Sequence, residues 1–175
     1  MNASPTANLT EAKAASSPDL RRTAARLGAF LRHVFIFSGG EHLRKMEESG
    51  LSLTQVKILL MLAGPEGDEP YAGRDIAKRL KVSLASVSRA VEGLVRSRLV
   101  TRGEDPEDRR VRRLSITDKG RRLAGEIVAA RLADLEAFAE SLTPAQRRKL
   151  DAALEAVLDR QEIRAAAKEL EGVRS

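Results

Sequence analysis

From Leu20 onward, apolar residues recur three and four positions apart, at Ala24, Leu27, Leu31, Val34 and Phe35. That period predicts a helix buried along one side. It should run to about Glu48 with a kink at Gly39-Gly40, because each glycine weakens a helix interior by roughly 1 kcal/mol relative to alanine. Ser52 followed by Gln55 fits a capping box. The next positions, Val56, Ile58, Leu59, Leu60 and Leu62, make a short helix apolar nearly all round and therefore central. Gly64-Pro-Glu-Gly-Asp-Glu-Pro70 is turn chemistry. A helix over Arg74 to Leu80 then buries Ile76, Ala77 and Leu80. Ser83 caps another that reaches about Ser97, with Val87, Ala90, Val91, Leu94 and Val95 in one stripe.

A hairpin follows, and its returning strand places Arg110, Arg112, Leu114 and Ile116 on one face. Thr117 starts a long helix with apolar positions at Leu123, Ile127, Ala130, Leu135 and Phe138. For the last helix, Thr143, Pro144 and Gln146 supply the cap, the first-turn proline and the reciprocal glutamine. Leu150, Leu154, Val157 and Leu158 line its inner face. Residues 1–19 have no period and read as a flexible tail, and residues 166–175 as a charged end. The expected fold class is mainly α with a small β-hairpin wing.

Charge sharpens the middle of this pattern. Of the net +6, residues 71–122 hold 15 Lys or Arg against 7 Asp or Glu, while the rest holds 16 against 18. The whole positive excess thus lies in less than a third of the chain, and a localised basic field points to a polyanion, most commonly nucleic acid. No cysteine is present, which excludes disulfides, thiol switches and zinc sites built on thiolates. No apolar run approaches the ~18 residues a bilayer crossing needs, and the first ten residues lack the features of a secretion signal. The expectation is a soluble cytoplasmic protein without membrane contact.

The order of two short helices and a basic hairpin is the outline of a helix-turn-helix with a wing. On the second helix, Ala85, Ser86, Arg89, Gly93 and Arg96 lie opposite the apolar stripe, with Ser88 and Glu92 beside them. Small residues near a helix start allow close approach to a major-groove floor, and arginine can bond guanine or clasp a phosphate. The bland reading is a Ser-rich surface helix. The wing adds weight, because an arginine near its tip can enter the narrow, electronegative minor groove. Glu104, Asp105, Glu107 and Asp108 at that tip should repel phosphate. A carboxylate two residues from Arg110 can instead hold its guanidinium in a fixed direction.

The stretch from Asp108 through Arg110, Leu114, Ile116 and Thr117 to Gly120 resembles the D-x-R-x-x-x-L-x-L-T-x-x-G wing signature of the MarR family of bacterial transcription regulators, with Ile116 replacing the second leucine. Ile76 to Ser83 and Ser86 to Arg89 resemble that family's helix-turn-helix. The similarity spans roughly residues 20–160. It implies a winged helix-turn-helix domain over 51–116 and a helical dimerisation region formed by 20–50 and 117–165. It further implies a homodimeric repressor on double-stranded DNA. DNA-contacting candidates are Arg74, Ser83, Ala85, Ser86, Ser88, Arg89, Arg96, Asp108, Arg109, Arg110 and Arg112. Many members carry glycine where this chain has Lys81 and Arg98. If those positions need a left-handed backbone, each costs on the order of 1 to 2 kcal/mol.

The family often binds small aromatic acids, and three of the four phenylalanines fall within eight residues. Phe30, His33, Phe37 and Met61 are the candidates for an aromatic or acidic effector, against the plainer reading that the rings are dimer core. His33 and His42, nine apart, do not share a helix face closely, so no metal site is expected. Neither cofactor nor catalysis is expected, since no nucleophile or phosphate-cradling motif occurs. Two further readings remain: an architectural DNA-coating protein without ligand response, and a protein-interaction module using the acidic wing tip.

Overall fold

The computed structural model describes residues 18–37, 40–64, 70–104 and 112–159, with the side chains of Phe35 and Phe37 outside that description. The chain forms two compact units, residues 1–38 and 39–175. In the first, α1 spans Pro18–Phe37. It begins with proline, whose missing N–H is one that a first helical turn leaves unbonded anyway. Leu20, Leu27, Leu31 and Ile36 are exposed along it.

The second unit begins with α2 (Glu41–Ser49). Where a kinked continuation of the first helix was expected, a new helix starts. Gly40 has φ 93°, a left-handed conformation that glycine adopts without steric cost. Gly40 also lacks a side chain to cap α2, and a distant residue does so. Asp134 accepts hydrogen bonds from the backbone N–H groups of Glu41 at 3.2 Å and His42 at 3.1 Å. Its carboxylate is buried, 8% exposed, and its charge suits the positive end of the helix. Lys45, one turn along α2 from Glu41, pairs with Glu126. No residue of α2 is buried, so these polar bonds to the long helix α6 (Asp118–Ser141) weigh heavily in its docking.

The central helix is α3 (Leu53–Ala63), with the expected capping box of Ser52 and Gln55. Ile58, Leu59 and Leu62 are fully buried. Around them pack Ile76 of α4 (Gly73–Leu80), Val87, Val91 and Leu94 of α5 (Leu84–Arg96), and Ala124 of α6. Three antiparallel strands complete the layer, β1 (Tyr71–Ala72), β2 (Val100–Glu104) and β3 (Arg112–Ile116), in the order β1-β3-β2. Cross-strand partners are Val100 with Ile116, Arg102 with Leu114 and Glu104 with Arg112. The two-residue strand β1 is too short to show a period in the sequence. The last helix, α7 (Pro144–Leu158), carries the expected Thr143 and Gln146 capping box.

The turns after α4 and α5 are left-handed at Lys81 (φ 53°) and Arg98 (φ 58°). Both sites therefore carry the strain foreseen for a non-glycine residue. Each closes its helix: the N–H of Val82 reaches the carbonyl of Ala77 at 3.1 Å, and that of Leu99 reaches Leu94 at 2.9 Å. After β3, Thr117 caps α6 by accepting from the N–H of Gly120 at 3.0 Å. A Cβ at Gly120 would sit 2.2 Å from the carbonyl oxygen of Leu99. This explains the Thr-x-x-Gly of the wing signature: threonine starts the helix, and glycine lets its first turn rest on the backbone of Leu99, just before β2.

Candidate nucleic-acid interface

Two elements present the candidate reading surface. Ser83 caps α5, accepting from the N–H of Ser86 at 3.1 Å, and the two hydroxyls lie 2.9 Å apart. With the helix start so fixed, burial of Val87, Ala90, Val91 and Leu94 turns the opposite face outward. Ala85, Ser88, Arg89 and Arg96 are exposed and Ser86 is half-buried, while Arg74 is exposed in the first turn of α4. The positive end of the α5 dipole adds to their attraction for phosphate. Gly93 departs from the expected outward placement: it is half-buried and faces Gln55 of α3.

On its other flank α5 borders a groove of about 680 Å³, lined by the start of α4, by Leu84, Ser88 and Glu92 of α5, and by Arg102, Arg112 and Leu114 of the wing strands. The strand register explains the wing's contribution. Arg102 stands opposite Leu114, and residues directly opposite share a face, so this arginine points with the buried leucine. Arg74, Arg102 and Arg112 thus converge on one concave surface, tempered by Asp75 and Glu92. Arg112 bonds Glu104 at 2.9 Å, both side chains being about 58% exposed. One acidic residue of the outgoing strand therefore orients an arginine, as proposed for the tip. Arg113 donates to the carbonyl of Pro70 at 3.0 Å and anchors β3 beside β1. Asp108, Arg109 and Arg110 lie outside the described residues.

Arg102 escaped the sequence reading. Counting outward from Val100 in steps of two would have found it, since one apolar residue at the strand base sets the inward face. Of the effector candidates, Phe30 is half-buried and His33 exposed on α1, Met61 packs against the winged-helix core, and the side chain of Phe37 lies outside the described residues. Among the described residues no cluster of three or more metal-ligating side chains occurs, and no helix is long and apolar enough to cross a membrane.

A capped recognition helix, a strained helix-turn-helix turn and an arginine-bearing hairpin define a winged helix-turn-helix DNA-binding protein. The sequence pattern of the MarR family matches residues 49–111. The chain is 31% identical over 111 residues to the transcriptional regulator AdcR of Streptococcus pneumoniae, covering 61% of this chain and 73% of that one. It is 31% identical over 103 residues to the transcriptional repressor MdtR of Bacillus subtilis, covering 59% and 64%. Its fold is similar to YusO of Bacillus subtilis, with a TM-score of 0.63 at 25% identity over 81% of this chain and 97% of that one. MepR of Staphylococcus aureus, a regulator of a multidrug efflux pump, gives 0.63 at 20% identity over 75% and 95%. A MepR variant solved with a bound oligodeoxyribonucleotide gives 0.59 at 20% identity over the same shares. The chain belongs to the MarR family and is a transcriptional regulator, not an enzyme.

Proposed function

We propose that this regulator is a homodimeric repressor that binds an imperfect palindrome in a promoter and acts in the cytoplasm. The observation that carries the reading is the capped, outward face of α5, where small residues and Arg89 stand beside a groove walled by Arg74, Arg102 and Arg112. In this reading Ala85, Ser86, Ser88 and Arg89 meet base edges or nearby phosphates in the major groove. Arg74, Ser83 and Arg96 bind the backbone on either side, and Arg109, Arg110 and Arg112 extend along the minor groove with Asp108 orienting Arg110. Support for a dimer comes from apolar surface that a single chain leaves in water. Leu20, Leu27 and Ile36 on α1 are 60%, 54% and 59% exposed, and Leu154 and Val157 on α7 are 43% and 48% exposed. Two copies would place two recognition helices on half-sites about one helical turn apart.

Release by a small aromatic or acidic effector completes the proposal. Phe30, His33, Phe37 and Met61 are its candidate contacts. The groove beside α5 also combines arginines with an apolar floor of Val87, Val91 and Leu114, so an acid bound there would compete with DNA.

Selection of bound sequences from random duplexes, followed by footprinting, tests the reading. Enrichment of a two-fold symmetric site with discrete protection is expected, with affinity of roughly 10⁻⁸ to 10⁻¹¹ M at physiological salt. Continuous protection without sequence preference would favour a DNA-coating protein. Failure to bind DNA even at low salt would favour a protein-interaction module. Screening aromatic acids against the selected complex then tests release.

A further inference from the structure

Gly93 occupies the third turn of α5, where glycine lowers helix stability by roughly 1 kcal/mol relative to alanine. Its backbone is not among the positive-φ residues, so no dihedral demands glycine there. The demand is steric. A Cβ at Gly93 would lie 2.2 Å from Nε2 of Gln55. That nitrogen donates to the carbonyl oxygen of Ala90 at 3.3 Å. On the same side chain, Oε1 accepts from the N–H of Ser52 at 2.8 Å and closes the capping box of α3. A carbonyl has two lone pairs, so Gln55 can bond Ala90 while the helix keeps its own bond to that oxygen.

One side chain therefore caps the central helix and ties it to the recognition helix. At 100° per residue, Gly93 lies 40° from Arg89 and 20° from Ser86 around α5. The notch that receives Gln55 thus borders the face offered to DNA. Rotating α5 about its axis would carry that face away from the groove floor, and the amide seated against Ala90 opposes the rotation. Resting on the reading in which α5 meets base edges, we infer that Gln55 is a positioning residue for sequence recognition. Seated in the space left by Gly93, it sets the rotation of α5 and so which of Ala85, Ser86 and Arg89 reach the bases.

Four variants separate positioning from capping, with Gln55→Ala as the background for the double variant. Gln55→Glu keeps an oxygen for the N–H of Ser52, as a capping box allows, but presents an acceptor to the Ala90 carbonyl. Gly93→Ala improves the intrinsic helix and expels the amide. The double variant Gln55→Ala/Gly93→Ala removes the clash. Each is compared with the wild type on the sequence selected by the wild type and on an unrelated duplex, with helical content and unfolding followed by circular dichroism.

Gln55→Glu and Gly93→Ala should both fold and lose about tenfold in the ratio of specific to non-specific affinity, comparable to one mismatched base pair. In Gly93→Ala the non-specific affinity and its salt slope should stay unchanged, because phosphate contacts are not touched. Gln55→Glu adds a negative charge that weakens binding to both duplexes alike, so that variant is read through the ratio alone. In the Gln55→Ala background, Gly93→Ala should add no further loss, a non-additivity expected of residues in contact. Wild-type ratios in Gln55→Glu and Gly93→Ala would overturn the inference, as would an equal loss on both duplexes. A wild type that enriches no sequence sinks the proposed regulator function and this inference together. A wild type that enriches one, with variants that match it, sinks this inference alone.

Discussion

Replacing Arg98 by glycine should stabilise the protein, although it deletes a charge at the end of α5. Arg98 closes α5 at φ 58°, where a Cβ crowds the following carbonyl and costs roughly 1 to 2 kcal/mol. Its contribution to the turn comes from the backbone: its N–H reaches the carbonyl of Val95 at 2.9 Å, and its own carbonyl lies 2.9 Å from the Thr117 hydroxyl. Glycine keeps both. Against the relief stands the larger entropy of glycine in the unfolded chain, about 0.4 to 1 kcal/mol. Mid-range values, about 1.5 against about 0.7 kcal/mol, leave a net gain of about 0.8 kcal/mol. For a chain of this length that raises the melting temperature by about 2 to 3 °C, at roughly 2 to 4 °C per kcal/mol.

Lys81→Gly should give a similar gain, since Lys81 sits at φ 53° with its N–H bonded to the carbonyl of Lys78. The two sites close different helices and share no backbone partner, so the gains should add. Urea unfolding at one fixed protein concentration measures this, the concentration being held because a dimer's stability depends on it. Arg98→Ala is the control, because it removes the charge and keeps the Cβ. If Arg98→Gly and Arg98→Ala have equal midpoints, or if glycine lowers the midpoint, the strain argument is wrong.

Gly120→Ala should destabilise by about 1 to 3 kcal/mol in the same urea assay, since its Cβ would meet the Leu99 carbonyl oxygen at 2.2 Å and Ile116 at 2.8 Å. Asp134→Ala should cost about 1 to 3 kcal/mol by leaving the first N–H groups of α2 unpaired, and Asp134→Asn should restore only one of the two bonds, because Glu41 and His42 donate to different carboxylate oxygens and an amide NH2 cannot accept. Amide hydrogen exchange at Glu41 and His42 reads this directly. Arg102→Ala should weaken binding to all duplexes alike and lower the log–log salt slope by about one, as for loss of a phosphate contact. An unchanged slope would remove Arg102 from the interface. Arg110→Ala should also weaken binding and reduce its salt dependence, and a preserved slope would show that the wing touches neither backbone nor groove.

Much of the fold was legible because its signals are local. The caps at Ser52, Ser83, Thr117 and Thr143 all hold. Each depends on a side chain meeting an N–H three residues away, a distance that sequence alone specifies. The stripe of α5 and the all-round apolar α3 were equally readable, since burial follows a period within one helix. The double glycine, which the periodicity predicts as a kink, precedes a new helix that starts at Glu41. Its consequence depends on whether the backbone turns left-handed, and at Gly40 the partner that rewards the turn is Asp134, 93 and 92 positions from the N–H groups it caps. The reading face was legible in its residues and not in its edges: Gly93 was assigned to the outward side because its neighbour Gln55, on α3, is invisible to a helical wheel.

By itself, then, the sequence determined the succession of helices, the hairpin, the position of the basic field and the motif that places the chain in its family. These follow from propensity, periodicity and charge, which act over a few residues or add without regard to geometry. Tertiary structure alone decided the third strand, the cap that Asp134 lends to α2 and the notch in which Gln55 meets α5. Each is a pairing between residues far apart in the chain, as the 35 positions between Gln55 and Ala90 show. Such a pairing exists only after a hydrophobic core has brought two elements within hydrogen-bonding distance.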